Sequence, residues 1–553
     1  MSGPNRLTNV DRTRREPTAR RERTPAWRLE RRQVLSAIGA AGAVAVAGCL
    51  GGDGDDEVRD PDENDPEDLV GHDHGDHGGH EHDHGSDEEL LTEDDLAVFV
   101  PPYADAGDDL EELRLVDYGT VASGLETAGV VLESEPDLAE DDPDADAALV
   151  AILETVRDGF REVNQDDERD GDLEDETDDG EPASESDATL SASLVATDDG
   201  WLRTDELTLD ESVAITTLRR ARVCATRRVQ ETGNGDPAGA LETATIEDAV
   251  GGCALENYAD AGEFHDGNGV VDAETMAAGL GMTADRVTSE RYEADSRAVG
   301  ESVETVTLAR QTAAALDHYW VDDVGAYDFA YWHRPVGSDG AGYTPSQLGS
   351  VVGGQLVVAA VLAGAGETSG RPEDATTAAT LLERAETTLE RLLESGVVRP
   401  WGLPARLEYT ADGVDADAET VDVAGCWTFV DRLESGLAIA DELAPDLDLD
   451  DLEGVAGSID ALGVSLLDGG VVEGHHLDAD GHVVTELAYE GGDVTDERTS
   501  ATALGRFLSG AGRAYGRTDA LETSDREAVA DVYRQNDAFL RKSFLLESPP
   551  ETN

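Results

Sequence analysis

Six histidines fall within one short tract: His72, His74, His77, His80, His82 and His84, interleaved with Asp73, Asp76, Glu81 and Asp83. Imidazole nitrogen is a good ligand for Zn, Cu and Ni, and neighbouring carboxylates add charge. The surrounding residues are Gly and Asp, with almost no apolar content. Such a stretch has too little to bury to offset its ordering entropy. It suits an ion held by alternating ligand sets more than a rigid catalytic centre. Half of the chain's 12 His lie in this tract, so chance composition explains it poorly. The expectation is a divalent metal, Zn, Cu or Ni, on these six side chains. The competing reading is a polar tether in which His is one more hydrophilic residue.

A second cluster combines aromatics with acids. Residues 319–343 hold Tyr319, Trp320, Tyr327, Phe329, Tyr331, Trp332 and Tyr343, interleaved with His318, His333, Asp322, Asp323 and Asp328. Aromatic faces can stack on a sugar ring, and carboxylates can bind hydroxyls or serve as acid and base. Trp320, Asp322, Asp323, Tyr327, Trp332 and His333 are therefore candidate ligand-binding residues, with Glu408, near Trp401, as a second carboxylate. The alternative is a core seam in which these rings supply buried area.

Weaker signals follow. His475, His476 and His482 sit on an expected hairpin turning at Asp480-Gly481, where Asp-Gly between β-branched runs marks a two-residue turn. Strand alternation puts His475 and His476 on opposite faces. The run His265–Glu274 resembles a Ca loop in outline, but its register puts Phe264 and Thr275 at ligand positions. It reads as a turn leading into a helix. No Walker loop, dinucleotide fingerprint, nucleophile elbow or zinc-protease motif is present.

Residues 31–49 set the address. Ten Arg against four acids in residues 1–32 form a basic leader, followed by an uncharged run from Val34 to Ala47 and then Gly48-Cys49. The run is short of the ~20 apolar residues that span a bilayer. It fits the apolar region of a cleaved export signal. Arg31-Arg32 resembles a twin-arginine signal, and Val46-Ala47-Gly48-Cys49 resembles a lipobox. The resemblance implies cleavage before Cys49, a lipid on its sulfur and an extracytoplasmic protein anchored to the cell membrane. No other stretch is expected to span a membrane. With Cys49 modified, Cys224 and Cys253 are the nearest pair for a disulfide in an oxidising compartment, leaving Cys426 over.

The chain has 123 acidic against 40 basic residues, a formal charge of −83. At molar salt the Debye length falls to about 3 Å, which screens the self-repulsion. The composition resembles that of haloarchaeal proteins, whose acidic surfaces hold water and ions in brine. No basic patch survives loss of residues 1–48, so nucleic acid is excluded as a partner. The membrane surface, reached through the lipid, is the one partner that the sequence suggests.

The elements that must position these groups are helices. Apolar residues recur at helical spacing in Ala145–Val163 and Thr376–Ser395, with Gly396 as a stop. Leu348–Leu362 is apolar nearly all round and reads as a buried helix. Further helices are expected at Glu211–Glu231, Glu301–Tyr319, Phe429–Leu443, Thr499–Tyr515 and Asp525–Phe544. The fold class is mainly α, with layered helices and short β-hairpins. From Leu308 to Leu393 the chain runs helix, Tyr319-Trp320, the turn Asp322-Asp323-Val324-Gly325-Ala326-Tyr327, Tyr343-Thr344-Pro345, an apolar helix and a Leu-rich helix. Over residues 300–545 this order resembles the (α/α) toroids of sugar epimerases and glycan-processing enzymes. A plain helical bundle fits the same elements.

The organisation read from sequence is thus a signal over 1–48, a lipidated His/Asp-rich tether over 49–95, a helical region over 96–300 carrying an acidic loop at 164–188, and a toroid-like region over 301–545. The functional expectation is a membrane-anchored lipoprotein whose tether binds divalent metal. Its alternatives are a carbohydrate-active or glycan-binding toroid and a structural surface protein.

Overall fold

The apolar stripes fold as helices where the sequence places them. A computed structural model describes residues 90–548 apart from 93–94, 105–109, 135–144, 163–188, 198–199, 205–206, 233–238, 243, 245–257, 267–269, 294–302, 330–339, 370, 444–448, 519 and 547. The export signal, Cys49, the six-His tract, the acidic loop, Cys253, Trp332 and His333 lie outside these residues. The helices are α1 (Leu115–Ser134), α2 (Ala145–Gly159), α3 (Leu209–Thr232), α4 (Ala273–Glu293), α5 (Val303–Tyr319), α6 (Pro345–Ser369), α7 (Pro372–Ser395), α8 (Val423–Leu443), α9 (Leu449–Leu466), α10 (Ala501–Arg517) and α11 (Thr523–Ser543). All eight expected helices are present. Helix α7 shows the local chemistry: Pro372 opens its first turn, and Gly396, at φ 73° in the left-handed region, stops it.

Six of the helices close a ring. Helix α1 packs on α3, α3 on α4, α4 on α6, α6 on α8, α8 on α10, and α10 back on α1. A second layer covers them: α2 lies against α1 and α3, α5 and α7 against α6, α9 against α8 and α10, and α11 against α10. This is an (α/α) toroid with inner and outer helices alternating along most of the chain. Inner helices come from both sides of residue 300. They touch closely because glycines meet at the contacts. A methyl group on Gly353 or Gly436 would strike the backbone of the facing helix, α8 or α6 respectively, at 2.3–2.4 Å. Gly124 of α1 and Gly505 of α10 meet in the same way.

Burial on all sides explains two corrections. Helix α1 escapes a search for helical stripes because its polar residues Asp117, Ser123 and Glu126 are buried along with Leu115, Tyr118, Val121 and Leu125, so it has no wet face. By length and apolarity alone Pro345–Gly366 and Leu452–Val472 could each cross a membrane, against the expectation that no such stretch follows residue 49. Ring packing accounts for the first, which is 89% buried.

Among the described residues every strand lies in a segment that leads into an inner helix. These lead-in segments bond to one another round the ring. Glu112–Arg114, before α1, pairs with Ser193–Thr197, before α3. Gly340–Tyr343, before α6, pairs with Leu407–Thr410, before α8. Thr420–Asp422, before α8, pairs with Glu486–Ala488, before α10. Tyr103 bridges Ser500 across the closure. The antiparallel hairpins therefore gather at the end of the ring where inner helices begin. The expected hairpin around Asp480-Gly481 is reduced to one bridge, Leu477 with Val483. Gly481 does make the turn, at φ 84°, but Leu467–Val472 forms a π-helical extension of α9 in place of a strand.

Candidate functional site

The hairpin end carries a site built around Trp401. Residues Arg399 and Gly402 exchange backbone hydrogen bonds of 3.0 Å, and Gly402 has φ 126°, which only glycine adopts without strain. That turn displays Trp401, whose Nε1–H donates to the Tyr489 carbonyl at 2.9 Å. Tyr489 in turn donates through its hydroxyl to the Val397 carbonyl. The π-helical extension of α9 seats against the same turn: a methyl on Gly469 would lie 1.9 Å from the Pro400 carbonyl. Single π turns recur at functional sites. Here the extension delivers Glu473, His475 and His476.

The two adjacent histidines have opposite fates. His476 is fully buried, edge-on to Trp427 at 5.5 Å, with its Nε2 2.9 Å from the Trp401 carbonyl. Burial pushes its pKa down to about 4, so it is neutral at physiological pH. It holds the Trp401 turn from below, and Cys426 Sγ accepts from the Leu403 N–H beside it. His475 is 31% exposed, with Nε2 3.5 Å from a carboxylate oxygen of the more exposed Glu473. Its ring meets Trp401 at 5.5 Å. A half-buried indole, a water-accessible imidazole and a carboxylate thus converge on a rigid support. The spacing of His475 and His476 was legible. The partnership of Trp401 with His475 was not, because they lie 74 positions apart in the chain.

The aromatic–acid cluster is split. Trp320 is half-buried, donates from Nε1 to Asp322 at 2.8 Å, and lies under the Arg384 guanidinium at 5.1 Å. Asp323 is exposed. Tyr327 is 2% exposed, stacked on Phe329 at 5.8 Å, and its carbonyl accepts from the Tyr343 hydroxyl. The expectation of a free ring face at Tyr327 is corrected: the lead-in to α6 is a packed seam that includes Tyr409. Arg384 also lines a cleft of about 340 Å³ with Arg310, Asp317 and Asp374, between the outer helices α5 and α7. Glu408 is an exposed strand residue. His482 stacks on Phe539 at 3.8 Å. Asp272 caps α4 by accepting from Glu274 and Thr275 N–H groups, so the Ca-like run is a helix cap. Among the described residues no three His, Cys, Asp or Glu are placed to hold a metal. Cys224 is a free thiol on α3.

A third set of charges fills the ring interior, and sequence reading missed it. Asp285 of α4 meets Arg432 of α8 at 2.9 Å and Arg220 of α3 at 3.3 Å. Arg513 of α10 meets Asp431 of α8 at 2.7 Å and Glu126 of α1 at 3.1 Å. Burial alone would raise the Asp431 pKa, but Arg513, Arg220, Arg432 and Arg506 together hold it below the ordinary value. Glu434, beside Arg517, is lifted by burial to about 7. A signal existed: Arg or Asp on otherwise apolar inner faces.

No family model and no curated protein matches the chain. Solved structures similar to this chain include three enzymes. One is a D-mannose isomerase, at 13% identity and TM-score 0.40, covering 76% of this chain and 92% of that one. Another is a sugar epimerase from a ruminal bacterium, at 10% and 0.38, covering 78% and 95%. The third is cellobiose 2-epimerase from Bacillus thermoamylovorans, at 13% and 0.38, covering 76% and 93%. Identities and scores this low carry no conclusion on activity.

Proposed function

We propose that the ring is a carbohydrate-active domain displayed outside the membrane, with Trp401, His475 and Glu473 as its working residues. The observation that supports this is the half-buried Trp401 ring beside a water-accessible imidazole–carboxylate pair at the hairpin end. An indole edge and face can pack on the CH surface of a sugar. Imidazole moves protons near neutral pH, and a carboxylate at its second nitrogen or edge orients it for that task. The domain is carried by a lipid on Cys49, after export directed by Arg31-Arg32, in a halophile's acidic, salt-screened surface layer. The test is an NMR titration of the mature protein in molar salt against a panel of aldoses, ketoses and disaccharides. At least one sugar is expected to shift the Trp401 indole resonance, and Trp401→Ala to remove the effect. A panel with no response sinks the reading.

The six-His tract supports a separate property of the same protein, binding of Zn, Cu or Ni by the tether. Calorimetry on the mature chain should show micromolar binding that deletion of residues 72–84 removes. Unchanged binding after that deletion would place the metal elsewhere.

A further inference from the structure

The cleft of about 340 Å³ between the outer helices α5 and α7 lies apart from the Trp401 turn and shares no residue with it. Its floor is apolar: Ala313 of α5, Leu362 of α6 and Leu381 of α7 are each at most 3% exposed. Its rim is polar, with Thr376, Thr377 and Thr380 on α7 and Arg310 and Asp317 on α5. The charges of the lining close on one another. Arg310 donates from Nε and Nη2 to the two carboxylate oxygens of Asp374 at 3.0 and 2.7 Å. Arg384 donates from Nη2 to Asp317 at 2.7 Å. Two arginines thus answer two aspartates, and the lining carries no net charge. Neutral hydrogen-bonding capacity is left over. The hydroxyls of Thr376, Thr377 and Thr380 donate to the carbonyls of Pro372, Glu373 and Thr376, which leaves their oxygens as acceptors. Among the described residues Arg310 Nη1 has no acceptor, so it remains a donor.

Small-molecule sites run from about 300 to 1,000 Å³ and join an apolar lining to a few polar groups that orient the ligand. This cleft sits at the small end of that range, so it suits one ring and not a chain. A charged ligand would have to break one of the two ion pairs or stay without a counter-charge of its own. A neutral polyol meets neither difficulty: its CH face packs on Ala313, Leu362 and Leu381, and its hydroxyls donate to the threonine oxygens and accept from Arg310. We infer that this cleft binds a neutral cyclic polyol of monosaccharide size, at a site separate from the hairpin end. The inference does not rest on the Trp401 reading. Trp320 supplies a reporter. Its ring lies 5.1 Å under the Arg384 guanidinium, and its Nε1–H donates to Asp322, so a ligand that engages Arg384 disturbs the indole.

The experiment uses the full mature chain in molar salt. Glucose, myo-inositol, glucosamine and glucuronate are titrated while the Trp320 indole N–H resonance is followed, with Trp320→Phe to assign it. Glucose or myo-inositol is expected to shift that resonance with a midpoint on the order of 1–10 mM, as suits so small a ligand. Ala314 is an exposed residue of the cleft lining, and Ala314→Phe fills the space while leaving both ion pairs in place. It should weaken binding by about tenfold or more. Trp401→Ala should leave the Trp320 response unchanged, so this site and the hairpin end can each fail alone. No shift with either neutral ring overturns the proposal. So does a shift that survives Ala314→Phe, one that vanishes in Trp401→Ala, or tighter binding of glucuronate or glucosamine than of the neutral rings. If Ala314→Phe fails to fold, crystals of the unmodified protein soaked in myo-inositol decide. Ring density over Leu362 and Leu381 supports the site, and an empty cleft overturns it.

Discussion

The ring interior and its hairpin end treat polar groups in opposite ways. In the interior, charges are buried and answered by charges: Asp431 is fully buried and has Arg513 at 2.7 Å. At the hairpin end, the buried support is neutral. His476 is uncharged, bonded to a backbone carbonyl, and the ionisable pair it supports, His475 with Glu473, stays in reach of water. The difference teaches where each kind of group can work. Charges locked against one another inside a ring fix which helices face each other, but they cannot easily change protonation. At the hairpin end the His475 imidazole keeps water and the Glu473 carboxylate beside it, over the buried ring of His476.

The sharpest way to break this contrast is Arg513→Ala. It leaves Asp431 and Glu126 buried without their partner, and removal of one side of a buried pair costs about 3–5 kcal/mol. Chemical denaturation should show that loss, and it should persist at high salt because buried charges are screened little. A loss below about 1 kcal/mol would mean that the interior is wet and the two regions differ less than their geometry implies.

Next in size is the pH response of His476. Its folded pKa, about 4, lies below the ordinary value of 6.5, so the unfolded chain binds the proton more readily. Stability is then complete above pH ~6.5 and falls as the pH drops toward 4, by about 3 kcal/mol for this group. Denaturation midpoints across that window measure it, and His476→Gln should flatten the slope by one proton. Asp431 also has a lowered pKa, and its contribution is present above the unfolded value and lost only at lower pH, as the folded carboxylate takes up its proton. An unaltered slope in the His476 variant would show that the ring is not buried neutral.

The contrast also explains what the sequence could disclose. Outer helices such as α7 were legible because one face is wet, and Leu381, Leu382, Leu389 and Leu392 keep the stripe. Inner helices α3, α6, α8 and α10 were legible too, α6 because it is apolar nearly all round, but α1 and α4 were not, since buried polar residues such as Asp117, Glu126 and Asp285 interrupt their apolar pattern. The interior charges carried a weaker signal, Arg220 and Asp285 standing on otherwise apolar faces, and were passed over because a lone charge in a one-dimensional string looks like surface. The histidine pair was visible because Asp-Gly announces a turn, but the π-helical path that turns His475 outward and His476 inward follows from packing against Pro400 and Gly402, which no local pattern encodes.

Gly402→Ala sharpens the comparison from the backbone side. At φ 126° a side chain is strained, and its Cβ would lie 2.8 Å from Val421 Cγ1 and 3.1 Å from Cys426 Sγ. A cost of about 1–3 kcal/mol is expected, smaller than for Arg513. The Trp401 turn should shift, so sugar-induced change in the indole signal should weaken even where the protein remains folded. Intact signal in a folded variant would separate Trp401 from the support beneath it.

The smallest effect on stability belongs to the residues proposed to work. His475→Ala and Glu473→Gln remove partly exposed side chains 3.5 Å apart, a surface pair worth under about 1 kcal/mol. Their denaturation midpoints should stay close to that of the unmodified protein in the same salt. If the hairpin end moves a proton on a sugar, His475→Ala should slow turnover by about 10²–10⁴-fold while sugar affinity, set by Trp401, changes little. Glu473→Gln should slow it less, since the imidazole keeps its place against Trp401 and loses only its carboxylate neighbour. The opposite ordering, with Glu473→Gln the more damaging, would make the carboxylate the group that meets the substrate and the imidazole its support.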